Sequence, residues 1–252
     1  AVALLFTLSV LVHRPAWRWA VRCFVACGIA CVYLGQQRSV WIALMVGMLV
    51  LLVLHPDWRR RLPPIALAAL PVLGLLVVAL LQLSQVPGRP LPTGVDRFAA
   101  GLLTPRADPT AAWRLAAWSE ALDRVRADPL TGGGLGAPFG WDYAGTQVEN
   151  RPHNTFLTVV VKSGVPGLLL LLLPLLWLYA TCVRRSLEPT LPPGARRPLV
   201  GLLAAHVAVT VYGGFNLLLE SPYVAWPYWA LAGAIVASLP TANAAPAGGA
   251  EC

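Results

Sequence analysis

Long apolar segments alternate with short polar connections along most of this chain. A helix needs about 20 predominantly apolar residues to cross the hydrocarbon core of a bilayer. Because backbone groups in lipid must find their hydrogen-bond partners within the segment, apolar segments of this kind are expected to be helices. The pattern predicts about seven transmembrane helices, the first of them cut short, at residues 1–12, 17–34, 38–54, 64–83, 155–181, 199–219 and 222–239.

One long polar region, residues 84–154, separates the first four segments from the last three. Its first part is rich in proline and glycine and is expected to be irregular. Asp108-Pro109 then provides a cap before a proline at the first helical position, which predicts an amphipathic helix from Ala111 to Ala127. The expected apolar stripe of this helix consists of Leu115, Trp118, Leu122 and Val125.

The loop helix and the residues after it carry further local signals. Glu120 and Arg124 are spaced for an i, i+4 ion pair on the helix surface. A glycine turn follows at residues 130–136, and its backbone can approach a ligand closely because glycine has no side chain. A polar, aromatic stretch over residues 139–150 then leads to the polar start of the next apolar segment.

Arginine placement orients the predicted helices. The connections 13–22, 55–63 and 182–198 each hold three or four arginines, and cytoplasmic connections are enriched in basic residues. These connections alternate with the others along the chain, so they share the cytoplasmic side. The region 84–154 is therefore expected to lie on the opposite, non-cytoplasmic side.

These patterns predict an all-α polytopic membrane protein with one long non-cytoplasmic loop that contains a helix. Residues 1–83 are expected to form N-terminal transmembrane helices with a truncated start, and residues 84–154 a loop subdomain, periplasmic if the membrane is a bacterial inner membrane. Residues 155–239 are expected to form C-terminal transmembrane helices, and residues 240–252 a disordered tail. Because the chain begins at Ala1 inside an apolar stretch, we expect it to be a piece of a longer protein.

Composition supports the membrane assignment. The chain is 57% hydrophobic and only 12% charged, with a mean hydropathy of +0.66, whereas soluble domains carry roughly 25% charged residues. The isoelectric point near 9.8 would also fit a nucleic-acid-binding protein. The arginines, however, lie in short runs between apolar segments, as topology signals do. Membrane lipids are therefore the expected surroundings, and nucleic acid is not an expected partner.

Two arginines are candidate site residues. Arg38 begins an apolar segment in the polar sequence Gln36-Gln37-Arg38-Ser39, at the non-cytoplasmic end where arginine is disfavoured. Its planar guanidinium suits a diphosphate because it donates paired hydrogen bonds and keeps its charge. Alternatively, Arg38 is an interfacial anchor that snorkels to the headgroups. Arg114, on the loop helix beside the stripe, is either a site residue or a solvated charge.

His153 is the candidate proton acceptor, because an imidazole titrates near neutral pH. Alternatively, it caps the helix that follows, although Asn154 and Thr155 could fill that role as well. Glu220, on the same predicted side, is either a site carboxylate or a surface one. His206 lies mid-membrane and is either functional or a buried hydrogen-bonded histidine.

Sequence motifs for several kinds of catalytic site are absent from the chain. The chain has no Walker lysine motif, no Gly-x-Ser-x-Gly elbow and no Asp-x-Asp pair. Cys23, Cys27 and Cys31 share one face of a predicted helix, but no histidine or carboxylate joins them. Apolar packing of these cysteines is therefore favoured over a soft metal site. The chemistry is expected to need neither a metal nor a cofactor.

Three pieces of sequence occur in a fixed order. They are the polar start at Arg38; Arg114-x-x-x-Trp118 on the loop helix, leading to Asp-Pro-Leu-Thr-Gly-Gly-Gly-Leu-Gly at residues 128–136; and His153-Asn154-x-x-Leu157, followed by Gly164-x-x-Gly167-Leu168. Together they resemble the O-antigen ligase family of bacterial membrane proteins. That family shares a signature domain with O-antigen polymerases and with the oligosaccharyltransferases that glycosylate pilins. The resemblance covers roughly residues 30 to 220.

The resemblance implies a multi-pass protein of the bacterial inner membrane with its active site facing the periplasm. It implies a metal-independent, inverting transfer of a glycan from undecaprenyl diphosphate to an acceptor hydroxyl, with lipid A–core as the leading acceptor. Arg38 and Arg114 would hold the diphosphate, and His153 would act near the acceptor hydroxyl as the base. The secondary candidates for the site are Asn154, Glu220 and Arg151.

Other functions fit parts of the pattern. An O-antigen polymerase or a protein O-oligosaccharyltransferase would use the same residues on another acceptor. A non-catalytic flippase or transporter of lipid-linked glycan is an alternative of a different class, and transporters place polar sites near the bilayer midplane. Only His206 and the Gly213-Gly214 pair meet that description. The concentration of polar residues in one outer loop favours the transferase.

Overall fold

The computed structural model describes residues 2–10, 18–35, 37–55, 57, 109–149 and 151–239. Within these ranges the chain forms helices α1 (Val2–Val10), α2 (Arg18–Gly35), α3 (Arg38–Leu54), α4 (Pro109–Ala127), α5 (Thr155–Leu187), α6 (Pro193–Gly213) and α7 (Pro222–Ser238), with strands β1 (Trp141–Tyr143) and β2 (Thr146–Val148) between α4 and α5. The predicted segment 64–83, the irregular start of the loop and the tail 240–252 lie outside the described residues.

One described helix is long and apolar enough to cross a membrane. This is α5, with 33 residues and a mean hydropathy of 2.1 in its apolar part. Shorter apolar stretches occur in α2 and α3, at Trp19–Val32 and Ser39–Leu54. The prediction of a mainly helical protein is therefore confirmed, and α5 is a candidate membrane span. The number of spans stays a prediction.

Helix α6 lies at the centre of the described helices and contacts α1, α3, α5 and α7. Small residues allow this close approach. A Cβ atom added to Gly47 of α3 would lie 3.0 Å from the Ala204 carbonyl oxygen, and one added to Gly201 would lie 2.8 Å from the Ser9 Cβ. Membrane helices associate through such close packing because lipid offers no hydrophobic driving force between them. The larger buried side chains around these contacts are Leu5, Leu51, Leu199 and Leu203.

Polar contacts join α1, α3 and α6 at one end. The Ser9 hydroxyl donates to the Arg197 carbonyl, and His55 Nε2 is 3.2 Å from the Ser9 carbonyl oxygen. The Arg197 guanidinium lies 2.8 Å from the Asp57 carboxylate. The end of α3 is thus beside the start of α6, so the two helices run antiparallel. The start of α3 at Arg38 consequently lies at the other end, towards the end of α6.

His206 is fully buried in α6 and joins three helices. Its Nδ1 lies 2.7 Å from the Tyr179 hydroxyl of α5, and its ring stacks on Tyr228 of α7 at 4.3 Å between centroids. Thr210 hydrogen-bonds to the same Tyr179 hydroxyl at 2.6 Å. Hydrogen bonds across helices are a common means of association in membranes. Of the two interpretations of His206, the structure favours the buried, hydrogen-bonded one.

Helix α5 is broken near its first third. Gly164 has a left-handed backbone with φ 65° and ψ −176°. Pro166 has no N–H to donate to the Lys162 carbonyl four residues earlier. The N–H of Val165 points away from the helix, so the Val161 carbonyl also lacks its helical partner. Two backbone acceptors are therefore left for another part of the chain.

The glycine turn after α4 supplies the missing partners. Gly133 and Gly134 donate their N–H groups to the Val161 and Lys162 carbonyls, at 2.8 and 2.9 Å, and Val165 donates to Pro129 at 2.7 Å. The close backbone approach expected of this turn is therefore made to α5, whereas the space beside Gly134 and Gly136 is open.

Helix α4 buries a different face from the predicted stripe. Leu115 and Leu122 are 41% and 43% exposed, whereas Ala117 and Ala121 are fully buried. Large rings from the hairpin pack on α4, and small alanines leave the room that those rings need. The resulting cluster contains Ala117, Ala121, Phe139 and Trp141, bordered by Trp113, Leu157 and Val161. The predicted pair of Glu120 and Arg124 is confirmed, at 2.9 Å.

The hairpin of β1 and β2 departs from the all-α expectation. Its two-residue turn, Ala144-Gly145, has positive φ at both positions, 54° and 81°, as a type I′ turn requires. The Asp142 carboxylate accepts the Gly145 N–H at 3.0 Å. The sequence hides this turn because Asn-Gly or Asp-Gly is the usual signal, and alanine is uncommon at positive φ.

Some helix ends also differ from the predicted segments. Helix α6 runs over Pro193–Gly213 rather than residues 199–219, because the chain leaves the helix at Gly213-Gly214. Helix α5 continues to Leu187, six residues beyond the predicted end. The three cysteines of α2 lie exposed rather than packed against the described helices.

The contact between the glycine turn and α5 predicts a stability effect. Gly132 has φ 63°, and an added Cβ atom would lie 2.7 Å from backbone atoms of Gly164 and Val161. Gly132→Ala should lower the unfolding free energy by about 2–4 kcal/mol, from left-handed strain and overpacking. Thermal unfolding of the purified protein in detergent measures this. The matched control, Gly136→Ala, meets open space and should change little; equal effects of the two substitutions would contradict the contact.

Candidate functional site

His153 lies just before α5 and does not cap it. The cap is Asn154, whose side-chain oxygen accepts the N–H groups of Phe156 and Leu157 at 3.0 and 3.1 Å. His153 itself has a left-handed backbone, with φ 49°. Histidine is among the few residues that tolerate this conformation, and such outliers concentrate at functional sites. The imidazole is therefore not needed to cap the helix.

The surroundings of the imidazole favour its neutral form. The Trp113 ring meets it edge to face, with 5.3 Å between the centroids. Burial lowers the pKa of His153 below its ordinary value, the Arg114 cation lowers it further, and the Glu220 carboxylate partly opposes both. A lowered pKa leaves the imidazole unprotonated at neutral pH, so it can accept a proton.

Helix α4 brings Arg114 and His153 together through a tryptophan. Trp118 Nε1 donates to the Pro152 carbonyl at 2.7 Å. The Trp118 ring lies beside the Phe215 ring, with 6.3 Å between the ring centroids. Residues four apart share a helix face, so Arg114 projects one turn away from this anchor. The spacing Arg114-x-x-x-Trp118 thereby places the guanidinium near the residue after Pro152, which is His153.

Thr155 connects the start of α5 to the segment after α6. Its hydroxyl oxygen accepts the Leu218 N–H at 2.7 Å and lies 3.0 Å from the Asn216 carbonyl oxygen. Glu220 Oε2 is 3.2 Å from the same hydroxyl, which holds the carboxylate on the side of His153. The sequence offered Thr155 only as a possible cap, because its partners lie more than 60 residues away.

One carboxylate oxygen of Glu220 accepts no hydrogen bond from the described residues. This oxygen, Oε1, is buried. A buried carboxylate oxygen without a partner costs free energy, so such groups call for an explanation. The charge of this carboxylate acts on the His153 imidazole, so an unused acceptor near a neutral imidazole is available to a hydroxyl-bearing ligand.

The structure locates Arg38 less completely. Helix α3 begins at this residue, at the end opposite the cluster of Ser9, Asp57 and Arg197. The end of α6 and the start of α5 lie at that same end. The Arg38 side chain is outside the described part of the chain. Its helix end thus agrees with the predicted side, and its distance from His153 stays a prediction.

Comparison with known proteins identifies the family. A family model described as O-antigen ligase matches residues 23–172, more than half of the chain. The chain belongs to the O-antigen ligase family. The match includes Arg38, Arg114 and His153, whereas Glu220 lies beyond it. No curated protein and no solved structure matches the chain.

The remaining candidates separate into two groups in this O-antigen ligase family member. Asn154 belongs to the His153 site as the cap that sets the start of α5. Arg151 instead lines a cavity together with Pro152 and residues of α4 and α5, and His153 is not part of that lining. Trp113 is a site residue that the sequence analysis missed, and its position next to Arg114 was the available signal. Among the described residues, no cluster of three or more His, Cys, Asp or Glu side chains could hold a metal.

The charges around His153 predict opposite effects of two substitutions on its titration. Arg114→Gln removes a cation that disfavours imidazolium, so the pKa of His153 should rise. Glu220→Gln removes an anion that favours imidazolium, so the pKa should fall. NMR titration of labelled histidine in nanodiscs measures both, and His153→Ala assigns the signal among the four histidines. Arg126→Gln, at an exposed site on α4, should leave the titration unchanged. Shifts of the same sign for both substitutions would contradict the arrangement.

Proposed function

We propose that this O-antigen ligase family member is a metal-independent, inverting glycosyltransferase. It moves a glycan from undecaprenyl diphosphate to an acceptor hydroxyl, and lipid A–core is the acceptor that we propose. A growing glycan or a pilin is the alternative acceptor. Family membership supports a membrane enzyme of lipid-linked glycans. The single observation that carries the mechanism is the place of His153, with its ring against Trp113 and within reach of the charges of both Arg114 and Glu220.

In this proposal the arginines bind the diphosphate of the lipid-linked donor. Charge builds on the diphosphate as the bond from its oxygen to the sugar C1 breaks, and fixed guanidinium groups stabilise that charge. Arg114 supplies one such group beside His153. Arg38 supplies the second from the start of α3. Two guanidinium groups provide the positive charge that a divalent cation provides in other phosphate-transfer sites.

His153 acts as the base on the acceptor. The acceptor hydroxyl forms a bond to the sugar C1 from the face opposite the diphosphate, and its proton passes to the imidazole. Burial and Arg114 keep the imidazole neutral before the reaction. A bound diphosphate would offset the Arg114 charge and so strengthen the base once the glycan donor is in place. The products are the inverted glycoside and undecaprenyl diphosphate.

Glu220 assists in two ways in this proposal. Its negative charge stabilises the imidazolium that forms when His153 takes the proton. Its buried Oε1 can accept a hydrogen bond from the incoming sugar. Because Thr155 holds the other carboxylate oxygen, this acceptor has a fixed direction.

The proposed topology follows the arginine pattern. About seven transmembrane helices cross the bacterial inner membrane, divided into residues 1–83 and 155–239. Residues 84–154 form the periplasmic subdomain, and residues 240–252 a disordered tail. The ends of α1 and α3 contact the start of α6, so these three helix ends share one side, as the proposed topology requires.

Replacement of His153 tests the base. His153→Asn removes the imidazole but keeps a residue that tolerates the left-handed backbone. A general base typically contributes 10²–10⁴-fold, so glycan transfer should fall by roughly 10² or more while the lipid-linked donor still binds. The measurement is transfer by the reconstituted protein together with a donor-binding assay. His153→Ala should behave alike. Recovery of the full rate at high donor concentration would instead make His153 a binding residue.

Replacement of Arg38 tests the diphosphate contact. Arg38→Lys keeps the charge but loses the planar fork, so transfer should fall by roughly tenfold or more, nearly as far as in Arg38→Ala. The measurement is complementation of cells that lack the corresponding glycan-transfer enzyme, with the attached glycan detected by gel electrophoresis. Arg126→Lys is the matched control, because that arginine is exposed and pairs with Asp123. Full transfer by Arg38→Lys would show that Arg38 is only an interfacial anchor.

A further inference from the structure

A cavity lies next to the His153 site. We call it the Arg151 cavity; its volume is about 200 Å³, and it lies between α4, the glycine turn and the first turns of α5. Arg151 and Pro152 line it, and they directly precede His153. Ligand cavities for drug-sized molecules span roughly 300–1,000 Å³. A cavity of this smaller size suits one sugar residue.

Three basic side chains line the Arg151 cavity. Arg151 has no hydrogen bond or ion pair with any described residue, and it is exposed. Lys162 donates one of its three protons to the Leu135 carbonyl at 2.7 Å, which leaves two for a ligand. Arg124 is held by Glu120 and by the Gly140 carbonyl. Among the described residues, none accepts a hydrogen bond from the Arg151 guanidinium, and two of the Lys162 ammonium protons are likewise without an acceptor.

The other walls suit a sugar ring. Phe139, Pro138 and Pro152 provide apolar surface. Asp128 adds an acceptor for hydroxyl groups. Its carboxylate accepts hydrogen bonds from the Thr131 hydroxyl at 2.6 Å and from the Thr131 N–H at 3.2 Å, and these lower the pKa of the Asp128 carboxyl. Asp128 thus stays ionised at neutral pH. Cations, a carboxylate and apolar walls together match a sugar that carries both an acidic group and hydroxyls.

We infer that the Arg151 cavity binds an anionic sugar residue of the acceptor, one that bears a phosphate or a carboxylate. This inference rests on the proposed function. Arg151 and Lys162 would hold the acidic group, and Asp128 would accept ring hydroxyls. Since Pro152 of the cavity wall directly precedes His153 in the chain, a sugar bound there presents its neighbour in the acceptor chain to the base. Arg114 and Glu220 do not line this cavity, so acceptor and lipid-linked donor occupy separate subsites.

The test uses glucose 6-phosphate, glucuronate and glucose as probes. Binding of each is measured by calorimetry on the full chain in phosphatidylcholine nanodiscs, without glycan donor. We expect both anionic probes to bind at least roughly tenfold more tightly than glucose, because hydrogen bonds to charged groups are the stronger ones. Arg151→Gln and Lys162→Gln should each weaken the anionic probes by roughly tenfold and leave glucose unchanged. Equal binding of the three probes would overturn the inference.

Controls separate this inference from folding and from the proposed function. Arg126→Gln, outside the cavity on α4, should bind every probe as the unaltered chain does. All variants should share one thermal unfolding midpoint, and Lys162→Gln keeps a proton donor for the Leu135 carbonyl. His153→Asn should leave probe binding intact. Because no donor is present, binding of anionic probes can succeed even where glycan transfer fails.

Transfer kinetics locate the cavity relative to the reaction. In Arg151→Gln, the KM for the acceptor should rise by roughly tenfold, with kcat and the affinity for undecaprenyl diphosphate unchanged. Glucose 6-phosphate should compete with the acceptor. Displacement of undecaprenyl diphosphate by this probe would overturn the assignment to the acceptor. So would loss of probe binding in nanodiscs that contain phosphatidylglycerol, because the cavity would then hold a lipid headgroup.

Discussion

The break in α5 leaves two backbone carbonyls on which the arrangement of the site depends. Pro166 cannot donate to the Lys162 carbonyl, and the left-handed Gly164 turns the next N–H away. A buried carbonyl without a partner costs about 1–3 kcal/mol. The glycine turn supplies both partners only by bringing its own backbone into contact with the helix. Because α4 leads directly into this turn, the same contact fixes α4 against α5.

The two halves of helix α4 contribute residues to two different places, the His153 site and the Arg151 cavity. Its first half carries Arg114 and the Trp118 anchor, and these face His153. Its second half carries Arg124 and ends at the Arg151 cavity. A displacement of the glycine turn would move both sites together, because α4 is one continuous helix of 19 residues. The charge next to the base and the adjoining cavity are thus set by one packing contact.

The sequence predicted most of the described helices because the signals for a helix are local. Apolar segments of sufficient length identify membrane helices without tertiary information. The spacing from Arg114 to Trp118 is one helical turn, so its consequence can be derived from helix geometry. The buried face of α4 could not be derived in this way, since it depends on the rings of Phe139 and Trp141. The contact of Thr155 with Glu220 likewise joins residues 65 positions apart.

The order His153-Asn154 explains how the imidazole that we propose as the base can precede a helix without capping it. A capping side chain must face the first N–H groups, and Asn154 does so. A histidine at that position would have its ring occupied by the same N–H groups. One residue earlier, the left-handed backbone turns the imidazole towards α4 at a cost of about 1–2 kcal/mol. That free energy is offset by the Trp113 contact and by the Trp118 bond to Pro152. Burial and Arg114 then favour the neutral ring, so an anion bound at Arg114, such as the diphosphate of the donor that we propose, would raise the basicity of His153.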